Sequence, residues 1–70
     1  MTEKMLRRQI TRYGNDEVRY KTKAYRAYAQ WKAYNDKNDY LNSQRYYSEA
    51  KQAKELRKKY EKMLRNGEYT

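Results

Sequence analysis

Ten tyrosines stand against only six leucine, isoleucine and valine residues in a chain of 70. That imbalance limits the possible folds more than any other feature. Aliphatic content this low, joined to a formal net charge of +9, falls in the range of disordered chains. Tyrosine alters the expectation, because each ring can bury ~150–250 Å² while its hydroxyl stays wet or finds a partner. With Trp, Ala and Met counted, the hydrophobic fraction is 37%. A fold is therefore expected, with a thin core, as one small domain over residues 1–70. Domains of this size are marginal and often lean on a partner or on self-association.

The residues that are missing exclude much chemistry. The chain has no Cys, His, Pro or Phe. Zinc sites lack their usual ligands, and only scattered carboxylates remain, so no metal and no cofactor is expected. Nucleophile–histidine arrangements have no histidine to work with. A tyrosine nucleophile would need a preorganised pocket and a proton donor, which a short helical chain offers poorly. Asp36 and Asp39 lack the ligand spacing of a calcium loop and suit capping and turn duty better. The expectation is a non-enzymatic protein. The opening MTEKMLRRQI has no continuous apolar segment, and no stretch approaches a membrane span, so a cytoplasmic location is expected.

Helix signals run almost throughout. Proline is absent, and glycine occurs only at positions 14 and 67, each where a helix can end in a left-handed residue. Three helices are predicted. The first runs from about Thr2, a cap, to Tyr13, with Gly14 as its stop and Leu6, Ile10 and Tyr13 on one face. The second follows the N-cap Asn15 and reaches about Asn35. Residues 35–39, Asn-Asp-Lys-Asn-Asp, form a polar break. The third starts near Asp39 or Asn42, with Asp36 competing as cap, and continues to about Asn66 before Gly67. The pairs Glu17–Lys21, Glu55–Lys59 and Glu61–Arg65 have the acid first at i,i+4, the favourable order.

On a helical wheel the second helix has two apolar arcs. Tyr20, Ala24, Ala27, Tyr28, Trp31 and Tyr34 form the broad one. Val18, Tyr25, Ala29 and Ala33 form a narrower one. Two arcs imply cover from two directions, one from the third helix and the other from the first helix or a second copy of the chain. The third helix shows a single apolar stripe, Tyr46, Ala50, Ala53, Leu56, Tyr60, Met63 and Leu64. Tyr20, Tyr28, Trp31, Tyr46 and Tyr60 are expected in the core. The fold class is thus all-α, an antiparallel helical hairpin of two long helices plus a short N-terminal helix. That helix packs against the hairpin or swaps onto a dimer partner, and two hairpins can pair into a helical bundle.

The charge belongs to the helices. Residues 1–14, 15–39 and 40–70 carry net charges of +3, +2 and +4. Opposite the apolar stripe of the third helix lie Lys51, Lys54, Lys58, Lys62 and Arg65, a ladder stepping by three or four residues, together with Tyr40 and Tyr47. Such a ladder suits nucleic-acid phosphates, DNA or RNA, since each one neutralised releases counterions without any sequence reading. Tyrosine beside lysine adds stacking on unpaired bases. Arg7, Arg8 and Arg12 can extend the surface. The bland alternative is a solvated face whose cations complement the helix C-terminus and keep the chain soluble. A third reading is a small adaptor or inhibitor, of the kind phages and mobile elements encode, that binds a host protein or an acidic protein surface. Membrane binding is disfavoured, because Tyr and Ala faces insert weakly. No helix-turn-helix, zinc-finger, RNP or heptad-plus-basic-region pattern stands out.

Overall fold

The computed structural model describes residues 1–70 as two long helices, α1 (Glu3–Tyr34) and α2 (Lys37–Arg65), folded back on each other. The hairpin is a rod of 51 × 13 × 13 Å. It has no strand, and neither helix is long and apolar enough to cross a membrane.

Local capping chemistry explains where the helices begin and end. Thr2 is the N-cap of α1, and its Oγ1 accepts a bond from the Met5 amide at 3.2 Å. The turn between the helices needs only Asn35 and Asp36. Asn35 adopts a left-handed conformation (φ 55°, ψ 34°) and donates its amide to the Trp31 carbonyl at 2.7 Å. Asparagine tolerates that region better than most residues. Asp36 at once caps α2, its Oδ1 accepting from the Asn38 amide at 2.9 Å. The polar break thus shrinks to two residues, and Asp36 prevails over Asp39 and Asn42. At the far end Gly67 (φ 69°) closes α2 with paired bonds, Glu68 amide to Met63 carbonyl and Gly67 amide to Leu64 carbonyl. The Thr70 amide then bonds the Met1 carbonyl at 3.1 Å, so both chain ends meet.

The separate N-terminal helix is not present. Residues 3–34 form one continuous helix through Gly14 and Asn15. A glycine costs an isolated helix about 1 kcal/mol relative to alanine, which packing along a whole seam readily outweighs. Gly14 faces α2, and a β-carbon there would sit 3.4 Å from the Arg57 side chain.

The seam has a period that was not anticipated. Buried and half-buried residues of α1 include 6, 10, 13, 17, 20, 24, 27 and 31, and those of α2 include 43, 46, 50, 53, 57, 60 and 64. Steps alternate between three and four, the 3.5-residue repeat by which two helices stay in register along a coiled-coil seam. Tyr, Ala, Glu, Arg and Ser at many of these positions hide the repeat from a search for leucine.

The core is alanine rather than tyrosine. Leu6, Ala24, Ala27, Ala50 and Ala53 are the buried apolar residues, with Glu17 and Ser43 the buried polar ones. The expected aromatic core is displaced to the seam's edges. Tyr20, Trp31, Tyr46 and Tyr60 are half-buried, and Tyr28 is exposed. Two helices enclose only one narrow line of side chains, and small residues there let the backbones approach. Rings are too large for that line and lie across its flanks. Tyr13 stacks on Tyr60 (centroids 5.8 Å apart, planes 8°), Tyr20 on Tyr46 (6.4 Å), and Trp31 leans on Tyr40 (4.8 Å). Ser43 is fully buried because its hydroxyl donates to the Tyr40 carbonyl at 2.7 Å, leaving no unsatisfied polar group.

Candidate cationic interface

Charge pairing decides which cations are available. Of 18 basic residues, four make ion pairs: Arg7 with Glu3, Arg19 with Asp16, Lys21 with Glu17, and Arg57 with both Glu17 and Glu61. Among the expected i,i+4 pairs, Glu17–Lys21 forms at 3.1 Å, whereas Glu55–Lys59 and Glu61–Arg65 do not. Glu61 turns back one turn to Arg57 Nη1 at 2.9 Å instead. Arg57 is already anchored across the seam, so pairing there immobilises one fewer side chain than recruiting exposed Arg65.

Glu17 and Arg57 form the one ionic link between helices. Arg57 donates Nε and Nη2 to one oxygen of Glu17, at 3.3 and 3.1 Å. The hydrogen bond from Lys21 holds the Glu17 carboxyl below the ordinary glutamate range, with Arg57 acting in the same direction and burial opposing both. Glu61 and Glu17 together raise the Arg57 guanidinium further above its usual value. The link occupies two seam positions where a leucine pair would fit, and the sequence reading had placed Leu56 there instead. Leu56 lies on the seam's flank, 36% exposed, beside Tyr13 and Tyr20.

The remaining cations line the outside. On α2, Lys51, Lys58 and Arg65 recur every seven residues, about 10.5 Å apart along the axis, and all are exposed. Lys62 is exposed beside them, and Lys54 is half-buried near the seam. Tyr47 is 43% exposed, seven residues before Lys54. Tyr40 is 37% exposed and engaged with Trp31, which separates it from Tyr47 in character.

On α1, Lys4, Arg7, Arg8 and Arg12 cluster with Glu3 on one outer face of the helix. The meeting of the chain ends sets this cluster at the same end of the rod as Lys62 and Arg65. Lys4 was missed from sequence, although it lies one turn before Arg7 and Arg8. Arg12 also reaches over the Tyr13 ring at 5.9 Å, on the flank that bears the stacked tyrosines. Further along that flank, Arg19 covers Tyr20, and Lys23 sits 5.8 Å from both Tyr20 and Tyr46. These cations stabilise rings at the seam edge through cation–π attraction.

No protein-family model matches the chain, and no curated protein or solved structure matches it either.

Proposed function

We propose that the protein is a binding protein that engages nucleic-acid backbone through the outer face of α2. One observation carries this reading: only four of the 18 cations are paired, and Lys51, Lys58, Lys62 and Arg65 project unpaired from a 29-residue helix. A rigid helix presents these charges without the ordering cost that a disordered basic tail meets on binding. Lys54 contributes from the edge of the same face, and the N-terminal cluster of Arg7, Arg8 and Arg12 extends the positive field at one end. Tyr47, open and close to Lys51 and Lys54 in sequence, supplies a stacking surface for an unpaired base. Recognition of this kind is independent of sequence, because it reads phosphates and not base edges.

A salt titration with duplex and single-stranded oligonucleotides tests the proposal. Five phosphate contacts give a log–log salt slope of about −4.5 on duplex and about −3.5 on single strands. Lys54→Glu combined with Lys58→Glu weakens binding to all sequences and flattens the slope by about 2 on duplex. Absence of binding at low salt, or binding that ignores salt, overturns it.

A further inference from the structure

The narrower apolar arc of α1 is left bare by the fold. With α1 continuous, no other segment of the chain lies over Val18, Thr22, Tyr25, Ala29 and Ala33. Val18 is 65% exposed and Tyr25 70%, and the other three are exposed as well. Thr22 is less polar here than its type suggests. Its hydroxyl donates to the Val18 carbonyl at 2.9 Å, which leaves the methyl group as its outward feature. The arc is therefore an apolar strip of about four turns, with a valine at one end, a tyrosine in the middle and two alanines toward the other end.

The surroundings of the strip are one-signed. Lys21 and Lys32 border one side and Arg19 and Arg26 the other. Arg26 makes no ion pair, and Lys32 makes none either, its ammonium resting over the Tyr28 and Trp31 rings at 5.6 and 5.5 Å. At one end Asp16 and Glu17 are held by Arg19 and by Lys21 with Arg57, and at the other Asp36 caps α2 through the Asn38 amide. A second copy docked strip against strip would set these cations against their own kind. Phosphate backbone would find no donor in Val18, Ala29 or the Thr22 methyl. What fits both the apolar centre and the cationic borders is an amphipathic helix with a small apolar stripe flanked by Glu or Asp.

We infer that the outer face of α1 between Val18 and Ala33 is a docking site for an acidic amphipathic helix of a partner protein. Thr22, Ala29 and Ala33 allow close backbone approach, Val18 and Tyr25 fill the groove of the incoming helix, and Arg26 and Lys32 meet its acids. The site lies on the other helix from the α2 ladder and does not depend on nucleic-acid binding.

The test is selection of displayed random peptides of roughly 16 residues, about four helical turns, on the immobilised full chain. Enriched peptides are expected to combine apolar residues at three- and four-residue steps with Glu or Asp beside them. Affinity for a selected peptide is expected to fall roughly tenfold in Val18→Asp and in Tyr25→Asp, a loss typical of one well-packed contact. It falls again in Arg26→Glu with Lys32→Glu, and is unchanged in Lys58→Glu with Lys62→Glu. Ala29→Glu, a helix-favouring exposed change, repeats the test should an Asp variant lose helicity by circular dichroism. Enrichment of peptides without acids or helical period overturns the inference, as does equal binding by these variants. So does a finding that Val18→Asp chiefly abolishes self-association in sedimentation, oligonucleotide binding, or binding to anionic phospholipid vesicles.

Discussion

Arg57 crosses the seam to grip Glu17, with two nitrogens on one carboxylate oxygen at 3.1 and 3.3 Å, beside the position where Gly14 carries no side chain. The alkyl stem of Arg57 packs 3.4 Å from where a Gly14 β-carbon would stand. A continuous helix, a glycine within it and a cross-helix ion pair are therefore parts of one arrangement.

Removing either charge alone should destabilise the hairpin, because its partner stays at the seam with its remaining ligand only. Glu17→Leu and Arg57→Leu are each expected to lower the urea midpoint. The double variant is expected to be more stable than either single one, since paired apolar residues avoid the desolvation of two charges. Additive losses in the double variant would show that the two residues act independently.

The same pair predicts an acid dependence. The folded-state value of Glu17 lies below its unfolded one, so the unfolded chain takes up the proton first as pH falls. Its contribution is complete above the ordinary glutamate range and disappears as pH drops through the lower folded value. Thermal melts of wild type and Glu17→Gln should therefore differ near neutrality and converge in acid. A constant difference across the acid limb would remove Glu17 from the account.

Gly14→Ala should raise stability by about 0.5–1 kcal/mol, because alanine restores helix propensity and its methyl group meets Arg57 at an ordinary contact distance. Gly14→Leu should do the reverse and weaken the coupling between Glu17 and Arg57 in a double-mutant cycle. Chemical denaturation measures both.

Seam and surface alanines should respond in opposite ways. Ala50 is 2% exposed, and Ala50→Leu is expected to cost about 1–3 kcal/mol by forcing the helices apart. Ala29→Leu, on the bare arc, should stay within about 0.5 kcal/mol of wild type. Equal effects at the two positions would mean that the seam lies elsewhere.

At the turn, Asn35→Val should cost about 1–2 kcal/mol, since a β-branched residue resists the left-handed conformation that Asn35 adopts. Asp36→Ala should cost about 1 kcal/mol through loss of the cap on Asn38. Melting temperatures report both.

Local signals made the hairpin legible in the sequence. Thr2 and Gly67 act within a few residues of themselves, so helix ends at those positions follow from residue type and spacing, whereas Asp36, Asp39 and Asn42 read alike as caps and only the tight turn selects Asp36. The cationic outer face of α2 follows in the same way, because helical periodicity alone separates Lys51, Lys58 and Arg65 from Ala50 and Ala53. Gly14 reads identically as a helix stop or as an interior helix position, and only the packing of α2 along that face selects the second. Tyrosines at helical spacing read as core, yet a two-helix rod has no space that encloses a ring, and Ala24, Ala27, Ala50 and Ala53 take that role. The scarcity of aliphatic residues thus determined that any fold would be thin, and the absence of proline with only two glycines that it would be helical. Which residues met across the seam depended on the register of one helix against the other, a long-range relation that no window of neighbouring residues contains.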